Sequence, residues 1–160
     1  DYKPSVARWN MATEEINPMP YEYPDLKKVR FIYAASAEHQ LYVQCYTQYD
    51  LMTICDFNGN LKCNIYGPKW ENEKTQTQHY SLGVEFCGDK ILALYSGGDH
   101  RTDAYYPTKF LVFDLNGNYL KTLETGYMIT DFCYDKENNR LIINLNDEIQ
   151  FAYLDLEGII

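Results

Sequence analysis

KFLVFDLNGNYLKTLETG, residues 109–126, decides the fold. Its first half, KFLVFDL, is almost continuously apolar, as a strand buried on both faces must be. Asp114-Leu115-Asn116-Gly117 follows. Asp at the first position and Gly at the fourth suit a type I turn whose Gly takes positive φ. The Asn-Gly pair would equally serve a two-residue hairpin. The second run, Tyr119–Glu124, has β-branched and aromatic character again. The segment therefore reads as strand, turn, strand.

The same turn stands at Asp56-Phe57-Asn58-Gly59 and starts again at Asp155-Leu156-Glu157-Gly158. The three aspartates are 58 and 41 residues apart. Two insertions explain the longer gap: 67–79 (GPKWENEKTQTQH) and 97–107 (GGDHRTDAYYP). Without them the period falls near the ~40–50 residues of a propeller blade. Each unit reads strand, polar turn, strand, loop, strand, D-x-x-G turn, strand. Strands are expected at 28–35, 40–47, 50–57 and 60–66, then at 80–86, 90–96, 108–114 and 118–124, and finally at 127–134, 140–145 and 149–155. LYVQCY sets Leu41, Val43 and Cys45 on one face and Tyr42, Gln44 and Tyr46 on the other.

The expected fold is all-β, with three four-stranded antiparallel propeller blades. The blades fall at 28–66, 80–126 and 127–160, with 67–79 inserted between the first two. The third lacks an outer strand, since Ile159-Ile160 stands where that strand would start. Residues 1–27 read as an irregular Pro-rich arm, broken by Pro4, Pro18, Pro20 and Pro24, with YEYPD extended. The stretch Ala12–Ile16 has the look of a helical turn, and Val6–Trp9 that of a strand able to complete the last blade.

Composition narrows the function classes. The 160 residues suit one domain with its own core. The net charge of −9 disfavours nucleic acid and anionic lipid. No apolar run approaches the ~18 residues of a membrane span. Sixteen tyrosines suit half-buried strands, where the ring packs and the hydroxyl reaches water. Cys45, Cys55, Cys63, Cys87 and Cys133 lie in strand-like runs without a C-x-x-C spacing, so reduced, structural thiols are expected. A Cys55–Cys63 bridge depends on hairpin register.

The segments GDKILALYSGG, KFLVFDLNGNYLKTLETG and ITDFCYDKENNRLIINLNDEIQFAYLDLEG resemble the C-terminal part of the TolB-like six-bladed propellers of the Bacteroidetes. The run Ile91–Gly97, the triplet Val112-Phe113-Asp114, and Asp135 and Leu141 carry the likeness. NHL and SMP30-like rings share the Phe-Asp-x-x-Gly turn more distantly. The resemblance covers 80–160, and 28–79 only as a generic blade. It implies a six-bladed ring in an exported, periplasmic or outer-membrane-associated protein, mostly without assigned activity. Such proteins are about twice this length, so the N-terminal blades are missing here.

Candidate site residues cluster in the second insertion. Asp99, His100 and Arg101 join titratable groups in one loop, and Tyr105, Tyr106 and Trp70 offer rings for stacking. Loops held by a rigid scaffold often carry function, although the same residues suit an ordinary solvated loop. The Asp99, His100, Asp103 spacing matches no standard metal pattern, and no cofactor motif occurs. His39 and His79 read as surface or turn residues. The favoured function is a non-catalytic binding or interaction module for a protein, peptide or glycan. One alternative is an assembly element, completed by a second copy or by a separate N-terminal half. Another, implied by the SMP30 likeness, is a metal-dependent lactone hydrolase.

Overall fold

A computed structural model describes residues 6–19, 26 and 29–160. The expectations for Pro4, Pro20, Pro24 and YEYPD lie outside the described residues. Thirteen strands form four antiparallel sheets, and no α-helix occurs among the described residues. The first blade holds β3 (Phe31–Ser36), β4 (Leu41–Tyr46), β5 (Leu51–Asp56) and β6 (Leu61–Tyr66) in that order. The second holds β7 (Thr77–Cys87), β8 (Lys90–Asp99), β9 (Lys109–Asp114) and β10 (Tyr119–Glu124). The third holds β11 (Ile129–Asp135), β12 (Arg140–Leu145) and β13 (Phe151–Asp155). The lead strands β3 and β11 both pack on β7, so the blades fan out from one edge.

The turns work as the sequence chemistry requires. Asp56 accepts from Asn58 N at 2.8 Å, Asn60 N at 2.9 Å and the Asn60 amide at 2.7 Å. Asp114 repeats this with Asn116 and Asn118 at 2.8, 2.9 and 2.8 Å. Gly59 and Gly117 close the two turns at φ 87° and 85°, a conformation that glycine adopts without steric penalty. These bonds hold both carboxyls below the usual range. The third turn has Ile159 where the others have Asn60 and Asn118, and among the described residues its sheet holds three strands.

Two cores form between the blades. Val43, Cys45, Met52 and Ile54 of the first blade meet Tyr80, Ile91, Ala93 and Phe113 of the second. Leu92, Leu94, Phe110 and Val112 turn the other way, onto Phe132, Leu141 and Ile143 of the third. Strand β9 feeds both cores, which is why KFLVFDL carries no polar alternation. A fully buried Phe or Leu in these cores contributes roughly 1.5–3 kcal/mol. The other face of β4 is also covered: Tyr46 packs with Leu26, Tyr49 and Leu51.

Several expectations need correction. Residues 12–16 are not helical. Residues 11–14 form a turn joining β1 (Ala7–Asn10) to β2 (Glu15–Pro18). That hairpin does not complete the last blade. It pairs with itself, and Arg8 donates to Phe57 O at the first blade. Strand β7 starts at Thr77, inside the expected insertion, because β8 runs on to Asp99 and pairs with it. The five cysteines are free thiols. A register shift pairs Cys63 with Ile54 and Cys55 with Leu61, which sets the two thiols on opposite faces.

Candidate functional site

The joint between the first two blades is built around Asp50, the residue before β5. Its carbonyl accepts from Gly67 N at 2.8 Å, which ties the start of β5 to the end of β6. Its carboxylate accepts from Lys69 N at 2.9 Å. His79 in β7 donates its backbone N–H to Thr47 O at 2.8 Å, stitching the second blade to the first. That bond carries its ring inward, where Nδ1 lies 3.8 Å from Asp50 Oδ1 and 3.2 Å from the Tyr95 hydroxyl. Asp50 and His79 are 1% and 2% exposed. Burial pushes the imidazole below its ordinary value against the pull of the Asp50 carboxylate. Burial, then Asp50, pushes the Tyr95 phenol up.

Above this floor opens a cleft of about 610 Å³ between β6 and the strands β9 and β10. Its wall includes two exposed rings, Tyr66 of β6 and Tyr119 of β10, at 51% and 57% exposure. Each is braced by a second ring. Trp70 meets Tyr66 edge-on at 4.8 Å, and Phe113 meets Tyr119 edge-on at 6.0 Å. The Tyr119 hydroxyl also bonds Thr122 Oγ at 2.8 Å. Two ammonium groups come in, one from β9 and one from the segment joining the first two blades. Lys109 Nζ lies 5.9 Å from the Tyr95 ring centre and 3.5 Å from Glu124. Lys69 lines the same cleft, with no ion pair within 4.0 Å among the described residues.

The six residues singled out from sequence do not converge on one point. Asp99 is consumed by Arg101, accepting from its N, Nε and Nη2 at 2.9, 3.0 and 2.6 Å. This holds the Asp99 carboxyl far below the usual range. His100 Nδ1 bonds Gln76 O at 2.9 Å. Tyr105 and Tyr106 stack on each other at 4.2 Å. Trp70 stands apart, between Tyr49 and Tyr66. The loop is nonetheless tied to the cleft. Ser96 Oγ, on the cleft wall, donates to Ala104 O at 2.6 Å. His79 is buried rather than at a surface or turn, and Asp50, Tyr66 and Tyr119 escaped the sequence reading because the cleft they share is closed by strands of two blades. Asp50 alone gave a signal: an acid directly before the apolar run LMTIC. Among the described residues, no three His, Cys, Asp or Glu side chains come together to hold a metal ion.

The second joint has the same stitching and different side chains. Thr125 N donates to Thr108 O at 2.9 Å, and Ile129 N to Pro107 O at 2.9 Å. Thr108 thus occupies the place of Asp50, Thr125 that of Gly67, and Ile129 that of His79. The cleft there, about 570 Å³, is lined by Leu145, Ile149, Ala152, Leu154 and Ile159 among others.

No protein-family model matches the chain, and no curated protein matches it in sequence. Solved structures do match in shape. The hydrazine synthase of Kuenenia stuttgartiensis superposes with a TM-score of 0.65 at 12% identity, over 96% of this chain and 40% of that one. BamB from Moraxella catarrhalis gives 0.55 at 13% identity, over 93% and 38%. A protein of unknown function from Bacteroides caccae gives 0.53 at 14% identity, over 94% and 54%. The shared fold is that of β-propeller blades, and the chain spans about half or less of each of these three structures. No helix among the described residues is long and apolar enough to cross a membrane.

Proposed function

We propose that the chain is a non-catalytic propeller module that binds its ligand in the cleft between the first and second blades. One observation carries this reading. The first joint buries an acid and a histidine beside an aromatic cleft, whereas the second does the same stitching with Thr108 and Ile129. Burying a charged or titratable pair is weak support for stability, and perturbed groups beside a cleft mark candidate sites. In this reading Trp70 positions Tyr66. The Asp99–Tyr106 loop frames one end of the cleft through Ser96.

The test is a glycan and peptide array probed with wild-type protein and with Tyr66→Ala and Tyr119→Ala. Both rings are exposed, so the variants should melt like wild type. A ligand lost in both variants supports the cleft. Binding that survives both, or no binding at all, overturns it.

A second reading has its own support. The outward face of the third blade leaves Ile142, Phe151 and Tyr153 at 38%, 68% and 64% exposure. A further blade, from a second copy or a separate half, would cover those side chains. Within that reading the ring is six-bladed and TolB-like, and the protein is exported to the periplasm or outer membrane. The Ile91–Gly97 run and the 54% coverage of the Bacteroides caccae chain support it. Light scattering across concentrations should show self-association that Phe151→Asp abolishes; a monomer at all concentrations rules out the second copy.

A further inference from the structure

We infer that the cleft between the first and second blades binds a sugar acid, a pyranose ring carrying one carboxylate. This rests on the reading of that cleft as the ligand site and names its occupant. Three features of the wall select the class. First, Tyr66 and Tyr119 offer amphipathic rings with few rotatable bonds, held in place by Trp70 and Phe113. Pre-set rings lower the ordering cost of stacking a flat, C–H-rich ligand face. Second, Lys69 of the inter-blade segment and Lys109 of β9 both reach the cleft of a chain with only 14 Lys and Arg against 23 Asp and Glu. Lys69 has no ion pair among the described residues, so a carboxylate there would gain a charge-assisted bond.

Third, the remaining polar groups want hydroxyls. Glu124 lines the same wall as an acceptor, and Thr122 and Ser96 add hydroxyl oxygens, while the buried Asp50 carboxylate stays tied up in the floor by Lys69 N. A flat aromatic acid would meet the lysines but bring no donor to Glu124, whose ion pair with Lys109 at 3.5 Å leaves carboxylate oxygens free to accept. A sugar's hydroxyls donate to those acceptors while its carboxylate meets Lys69. Lys109 and Glu124, 3.5 Å apart, form a donor–acceptor fork suited to neighbouring hydroxyls. The second cleft serves as the internal comparison. It shares Thr122 and Glu124 but has no lysine in its wall and is otherwise mostly apolar.

Titration calorimetry and amide NMR with four probes test this: glucuronate, its methyl ester, glucose and benzoate. Glucuronate should bind and shift the amides of Tyr66, Lys69 and Tyr119. The ester and glucose should bind at least about tenfold more weakly, since a hydrogen bond to a charged group is lost. Benzoate should be weaker than glucuronate. Lys69→Met should lower glucuronate affinity about tenfold and leave glucose unchanged. Lys69→Gln provides a second variant should the first melt early. Equal binding of ester or benzoate, shifts confined to other surfaces, or no glucuronate binding overturns the sugar-acid assignment. If all four probes fail while some array ligand still needs Tyr66 and Tyr119, the class falls and the cleft stands. If no ligand needs those rings, the cleft falls with it.

Discussion

The two inter-blade joints use one backbone pattern and opposite side-chain chemistry. In the first, Asp50, Gly67 and His79 occupy the stitching positions; in the second, Thr108, Thr125 and Ile129 do. The second is the plain solution. Ile129 is fully buried in the core, and Thr125 Oγ simply returns a hydrogen bond to Thr108 O at 2.7 Å. In the first joint the Asp50 carboxylate fills the space a side chain would take at residue 67. A Cβ there would sit 2.2 Å from its carboxyl carbon. Glycine at 67 is thus a consequence of the buried acid. Blade packing alone does not require the acid, because the neighbouring joint closes without one.

The largest break in that contrast should come from Asp50→Ala. It strips the partner from Lys69 N and leaves His79 and Tyr95 facing a void. Chemical denaturation should show a loss of about 3 kcal/mol, against under about 1 kcal/mol for Thr108→Ala. Gly67→Ala comes next, at about 2 kcal/mol, because the new Cβ must displace a fixed carboxylate. The loss should shrink to a few tenths of a kcal/mol when Asp50→Thr and His79→Ile are already present.

That double variant transplants the second joint into the first. It should lie within about 1 kcal/mol of wild type, since exchanging a buried polar pair for packed residues is often neutral. A loss as large as that of Asp50→Ala would show that the joints are not equivalent. The pH dependence sharpens the point. His79 has a folded pKa below its ordinary 6.5, so the unfolded chain binds the extra proton between the two values. The contribution is complete above about pH 6.5 and declines as pH falls toward the folded pKa. Urea midpoints across pH 5–7.5 should fall with acid in wild type more steeply than in the double variant. The smallest effect is expected at His100→Ala. It removes one bond to Gln76 O at a partly exposed loop, about 0.5 kcal/mol by thermal melting.

Much of the architecture was legible from local chemistry. The D-x-N-G-N turns carry their own bonds between residues no more than four apart, so Asp56 and Asp114 announce their hairpins wherever they stand. The continuous apolarity of KFLVFDL likewise foretold a strand shared between two cores. The N-terminal hairpin was less legible. The stretch Ala12–Ile16 suggested a helical turn, but β1 and β2 gain ladder bonds that a lone turn lacks. The candidate site was legible only in part. Trp70 was singled out as a stacking ring, and it instead braces one, because Tyr66 stands between it and the cleft wall. The loop 97–107 drew notice for its charges, and the fold uses them up on Arg101 within the loop and on Gln76 O of the 67–79 segment.

Sequence alone therefore determined the strands, their turns and the blade repeat, since alternation and Asx-type turns act over a few residues. The tertiary structure alone decided which residues share the cleft. Asp50 and His79 are 29 residues apart in sequence, and Tyr66 and Tyr119 are 53 apart. They meet only because successive blades stack face to face, an event governed by burial over the whole sheet. His79 shows the division most plainly. Its neighbours suggested a surface or turn position before a strand at 80, whereas β7 begins at Thr77 and the bond from His79 N to Thr47 O turns its ring inward against Asp50.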